Sequence, residues 1–212
     1  MRKILIVLMV VLSVFVFGGC GKTKAEVKMS EQTKIVFAGA GEEGDCLICV
    51  GERENPYIID GKHGQNTGFT LINFKPTGQV DSSQIMLKIE IDGVLQNIVM
   101  ELNPINMTFV VDLGYCVAEQ SSIRVSYQQE MITLNNISQT FDINYSQAIE
   151  IGFQEVEKND TLANEEYECY LKLFEGEKFG REGYFWCFSV VGENRNSKNI
   201  LISVQDGEII LG

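Results

Sequence analysis

Six cysteines and one histidine carry most of the reactive chemistry available to this 212-residue chain. Cys46-Leu47-Ile48-Cys49 has the C-x-x-C spacing of a redox dithiol. Such a pair needs a helix N-terminus or a positive neighbourhood to stabilise its thiolate. Residues 46–50 instead form an apolar run that reads as a buried strand, on which positions i and i+3 point to opposite faces. The two thiols are therefore expected as small core residues and not as a catalytic dithiol. Cys169 and Cys187 make a better couple. They lie in two alternating runs that flank a glycine-bearing loop, and directly opposed positions on neighbouring strands reach disulfide distance. A bridge there would close about 19 residues and contribute roughly 3 kcal/mol. With Cys20 set aside five cysteines remain, so at least one is expected to be unpaired.

His63 sits among Gly61, Gly64 and Gly68, which predicts an exposed loop, and Asp60 is the neighbour placed to orient its imidazole. A single histidine excludes a multi-His zinc centre and paired imidazoles for acid and base roles. The sequence holds no H-E-x-x-H, G-x-S-x-G, P-loop or dinucleotide fingerprint. The acids Glu42, Glu43 and Asp45, and Glu165, Glu166 and Glu168, lack EF-hand spacing and read as solvated charge. No catalytic residue, metal ligand or cofactor is assigned. Tyr184, Phe185, Trp186 and Phe188 form the densest aromatic group. Strand alternation puts Tyr184, Trp186 and Phe188 on one face, expected to cover a helix or, alternatively, to line a ligand or peptide groove, so that all four aromatics are candidate partner-binding residues. It leaves Phe185 and Cys187 on the other as the candidate partner-binding surface.

These residues must be held by something, and hydrophobic period supplies the frame. Residues 34–143 alternate apolar and polar with turn residues every eight to twelve positions, as expected of an immunoglobulin-like antiparallel β-sandwich of seven or eight strands. Ile85, Leu87, Ile89 and Ile91 share one face, and Asp92-Gly93 then marks a two-residue hairpin into the strand that follows. After Asn144 the period changes. Ala148, Ile149, Gly152, Phe153 and Val156 recur at three- and four-residue spacing, which predicts one helix within 146–158, capped by Asn144 with Gln147 and ended by Asn159-Asp160. Alternating runs around Cys169, Trp186 and Ile200, with a turn at Asp206-Gly207, complete a small α+β module over 144–212 as a helix on a meander of three or four strands.

The N-terminus has a different character. Arg2 and Lys3 precede fourteen uncharged residues, 4–17, and then Gly18-Gly19-Cys20. That is signal-peptide anatomy, and the run is shorter than the roughly 20 residues of a spanning helix. Gly18-Gly19-Cys20 resembles the lipobox of bacterial lipoproteins, although Phe17 stands where that family prefers Leu. The resemblance implies removal of residues 1–19, a diacylglycerol on the Cys20 sulfur and acyl-chain anchoring at the extracytoplasmic face of the cell membrane. Residues 20–33 then read as the lipidated cysteine and a polar tether. Cleavage would leave 193 residues and, with Arg2 and Lys3 lost, take the net charge from −12 to −14. So acidic a body repels phosphate backbones and anionic lipid alike, which excludes nucleic acid as a partner and assigns attachment to the acyl chains.

The C-terminal run SQAIEIGFQEV, followed by strands and the ending ILISVQDGEIIL, resembles the PepSY module of secreted and membrane-attached bacterial proteins. That likeness implies a peptidase-restraining or sensory ectodomain. The function expected from the residues is a lipid-anchored, non-catalytic module that binds an envelope protein or peptide. The alternatives are the PepSY-like role and an envelope hydrolase or thiol enzyme with an unrecognised site.

Overall fold

The computed structural model describes residues 29–91, 93–158, 166–194 and 196–211. The expected signal peptide, Cys20, Asp92, the expected helix stop at Asn159-Asp160 and Glu165 lie outside the described residues. Among the described residues twelve strands form one sheet. The first eight are β1 (Met29–Ala40), β2 (Gly44–Glu54), β3 (Asn66–Pro76), β4 (Gln84–Ile91), β5 (Val94–Asn103), β6 (Thr108–Asp112), β7 (Ser122–Tyr127) and β8 (Glu130–Asn136). After them come α1 (Tyr145–Glu157), β9 (Tyr167–Glu175), β10 (Tyr184–Gly192), β11 (Ser197–Ser203) and β12 (Ile209–Leu211).

The protein is mostly β, as the alternation predicts, but the first eight strands are not a sandwich. They run in the order β1-β2-β3-β6-β5-β4-β7-β8, and β8 pairs back onto β1 through Phe37↔Asn136 and Ala38↔Asn135, which closes a barrel. One inward and one outward face per strand is common to sandwiches and barrels. The deciding contact, between strands about a hundred residues apart, leaves no trace in local period. Ile85, Leu87, Ile89 and Ile91 do point inward, where they meet Phe37, Ile48, Phe74, Met100, Phe109, Val125 and Leu134 in the barrel core. Gly93, at φ +75°, turns β4 into β5 as its hairpin requires.

β1 is the hinge between the two halves of the molecule. Its C-terminal half closes the barrel against β8, whereas its N-terminal half pairs in parallel with β9, through Met29↔Cys169 and Gln32↔Leu171. The antiparallel meander β9-β10-β11-β12 therefore extends the barrel sheet sideways. This corrects the expected start of the folded part at Lys34. Met29, Ser30, Glu31, Gln32 and Thr33, read as tether because they are polar, are buried strand residues.

α1 covers one face of that extension. The predicted capping box is present: Gln147 N–H donates to Asn144 Oδ1 and Asn144 N–H donates to Gln147 Oε1. Ala148, Ile149, Gly152 and Val156 are its buried stripe. They pack with Met29, Val36, Leu171, Trp186, Phe188, Ile200 and Ile202 in a second core. Gly152 brings the helix backbone against the sheet, since a Cβ there would lie 2.3 Å from Phe188 Cγ.

Candidate functional site

The cysteine expectations divide. Cys46 faces the barrel core and Cys49 the opposite side of β2, as an apolar strand dictates. Burial pushes both thiols up to about 12, the reverse of what a nucleophile needs. The expected Cys169–Cys187 bridge is excluded by register. Cys169 pairs with Val190, and Cys187 pairs with Lys172. The two cysteines are thus displaced by three positions and point to opposite faces, Cys169 toward α1 and Cys187 away from it. Alternation locates the strands, but a one-residue change in loop length reverses a face, and the Gly176–Phe179 turn set that length. Among the described cysteines Cys116 alone is exposed.

The aromatic group also departs from expectation. Trp186 and Phe188 are fully buried under α1, with the Trp186 indole N–H donating to the Ile143 carbonyl at 2.8 Å. Phe141 packs edge-on against Trp186 and tilted against the half-buried Tyr184. Phe185, expected as the exposed contact residue, is buried as well. The Gly176–Phe179 3-10 turn folds onto it so closely that a Cβ on Gly176 would lie 2.6 Å from Phe185 Cε2. Phe185, Trp186 and Phe188 are buried on both faces of the strand, which removes these three as a partner-binding surface and leaves only the half-buried Tyr184 in part exposed.

His63 is exposed on a loop, as predicted, but its surroundings are more constructed than the glycines suggest. Residues 55–65 form a strap across the junction of barrel and extension, held by two buried carboxylates. Glu54, at the end of β2, accepts from Ile58 N–H at 3.3 Å and Gly64 N–H at 2.9 Å. Glu168 on β9 accepts at 2.8 Å from both Asp60 and Gly61 N–H. Glu168 was expected in solvent and is instead fully buried, because the strap brings backbone donors to it. His63 Nδ1 lies 3.4 Å from Ser30 Oγ, whereas Asp60 accepts from Lys62 N–H and does not reach the imidazole. Next to Glu168, the Tyr170 hydroxyl is buried without the geometry of a hydrogen bond. Burial and then that carboxylate hold it protonated above the usual tyrosine range.

A charged contact completes the strap. Lys172 pairs with the buried Glu31 at 3.1 Å, donates to the Tyr57 hydroxyl at 2.9 Å and lies over the Tyr57 ring. Burial pulls the lysine down, but Glu31 and Tyr57 outweigh it, so its pKa is raised and the cation kept. Among the described residues no group of three or more His, Cys, Asp and Glu is placed to hold a metal.

The outer barrel wall carries a feature not picked out in the sequence. Met86 on β4 and Val99 on β5 are cross-strand partners on the solvent face, 57% and 51% exposed. Beside them Leu71, Val99, Glu101, Val110, Val111 and Asp112 line an open concavity on the wall. Arg53 pairs with Asp112 at its margin. An exposed apolar pair beside a shallow depression is the form of a protein contact more than of an enclosed small-molecule pocket. Alternation predicts which side of each strand faces out, but not that outward Met86, Val99 and Val110 would come together across β4, β5 and β6. No family model, curated protein or solved structure matches the chain.

Proposed function

We propose that this protein is an extracytoplasmic lipoprotein, anchored through acyl chains on Cys20, which binds an envelope protein or peptide without catalysing a reaction. The observation that carries the binding half is the exposed Met86–Val99 pair and its adjoining depression on the barrel wall. Removing apolar side chains of such a patch from water favours association with a partner surface. The anchor half is supported by the apolar run and Gly18-Gly19-Cys20. A photo-crosslinking residue at Val99 in intact cells is expected to give one discrete adduct, and the same residue at Thr133, exposed on β8, none. Equal labelling at both positions would refute the wall as the binding surface. A PepSY-like role for residues 144–212 is a second reading, supported by the order of α1 and the β9–β12 meander with its Asp206-Gly207 turn. A discrete adduct from Asn199, exposed on β11, and none from Val99 would favour it.

A further inference from the structure

We infer that the strap at residues 55–65 lies on the lipid bilayer, with Tyr57, Ile58 and Ile59 seated in its interface. The inference rests on the lipid anchor proposed above and adds an orientation and a second membrane contact.

Three observations carry it. First, strand register sorts the loops between the two ends of the barrel. β1 begins at Met29 beside the end of β2, which begins no new pairing until the strap has led into Asn66 of β3. The strap, the Gly93 hairpin and residues 113–121 share Met29's end, whereas residues 41–43, 77–83, 104–107 and 128–129 form the other. Secondly, the strap touches the residues at which the described chain begins. Asn66, where it enters β3, donates to the Met29 carbonyl at 2.8 Å, His63 reaches Ser30, and Tyr57 shares Lys172 with Glu31. Nine residue steps separate Met29 from Cys20, and a fully extended chain of that length spans at most about 30 Å. An acylated Cys20 therefore keeps this end, the nearer one along the chain, within that reach of the bilayer.

Thirdly, side-chain chemistry differs between the ends. Tyr57, Ile58 and Ile59 are consecutive exposed apolar residues, joined at the same end by Val94, Leu95 and Tyr115. Lys62, paired with Glu193 at 3.0 Å, and His63 follow them on the strap, which also carries Asp60. Acids lie at both ends, Asp60, Glu119 and Glu193 at the near one and Glu42, Glu43, Asp45, Asp81 and Glu130 at the far one, so it is the consecutive apolar run on the strap that sets the near end apart. Ile105 and Met107 are exposed at the far end, but they are not consecutive and lie among its acids. Tyrosine and aliphatic side chains beside a lysine suit the headgroup boundary.

The protein's own fluorescence makes the test direct, because its one tryptophan, Trp186, is fully buried and reports folding. Full-length Ile59→Trp and Ile105→Trp variants, processed in cells, are reconstituted into phosphatidylcholine–phosphatidylglycerol vesicles with and without brominated acyl chains. The expected result is co-flotation of both, with the added indole of Ile59→Trp quenched about twofold or more beyond that of Ile105→Trp, since interfacial side chains sit within reach of the acyl boundary. Flotation with no excess quenching at position 59 overturns the strap contact while leaving the anchor in place. Failure to float overturns both.

Discussion

Gly39 tests the closed barrel. Immediately after the Phe37 and Ala38 pairs with β8, a Cβ on Gly39 would lie 2.5 Å from the Thr133 carbonyl oxygen, 2.9 Å from Leu134 Cδ2 and 3.2 Å from Leu134 Cα. Two of these three atoms are backbone and cannot rotate away, so Gly39→Ala must part β1 from β8. Overpacking of this kind costs about 1–3 kcal/mol, with the rigid partners favouring the upper part of that range. Reduced freedom of the unfolded chain returns about 0.4–1 kcal/mol. The expected net loss is about 1–2 kcal/mol, or roughly 2–8 °C in Tm for a chain of this size. Gly78 is the control. A Cβ there meets nothing within 4 Å, so Gly78→Ala should gain about 0.4–1 kcal/mol. Urea and thermal melts followed by circular dichroism read both variants. If Gly39→Ala is as stable as Gly78→Ala, the β1–β8 seam does not exist and an open sheet or sandwich is the correct architecture.

Gly152→Ala should also destabilise the protein, by about 1 kcal/mol or more, because its clash with Phe188 outweighs the roughly 1 kcal/mol gained in helix propensity. A net gain in a urea melt would refute the packing of α1. Phe185→Ala and Trp186→Ala should each cost about 3–5 kcal/mol as core truncations. A near-native melt for Phe185→Ala would return that residue to the surface. In the native state an alkylating reagent should modify Cys116 well ahead of Cys46, Cys49, Cys169 and Cys187, and mass mapping reads the order. Cys46 and Cys49 have folded pKa values raised from 9.0 to about 12. Their contribution to stability is therefore whole below about pH 9 and lost as pH rises toward 12. A denaturant midpoint that increases from pH 9 to 11 would contradict this sign.

The sequence made some elements legible because their signals are local. Asn144 with Gln147 names a helix start through contacts three residues apart, and Gly93 names a hairpin through one backbone angle. Inward Ile85, Leu87, Ile89 and Ile91 follow from a period of two. Barrel closure, the parallel β1–β9 pairing and the burial of Met29–Thr33 depend on which distant edges meet, and the polar Ser30, Glu31, Gln32 and Thr33 disguise a strand whose side chains find partners far along the chain. Glu168 misled for the same reason: its two donors come from Asp60 and Gly61, over a hundred residues earlier. The Cys169–Cys187 bridge failed on register, which the period of two leaves open.

Attachment through Cys20 is tested by intact-mass spectrometry of the protein extracted from cell membranes with detergent. The predicted species begins at Cys20, lacks residues 1–19 and carries the added mass of a diacylglycerol thioether, while a Cys20→Ser variant carries none. A chain with an unmodified Cys20, or one cleaved at another position, would contradict the claim.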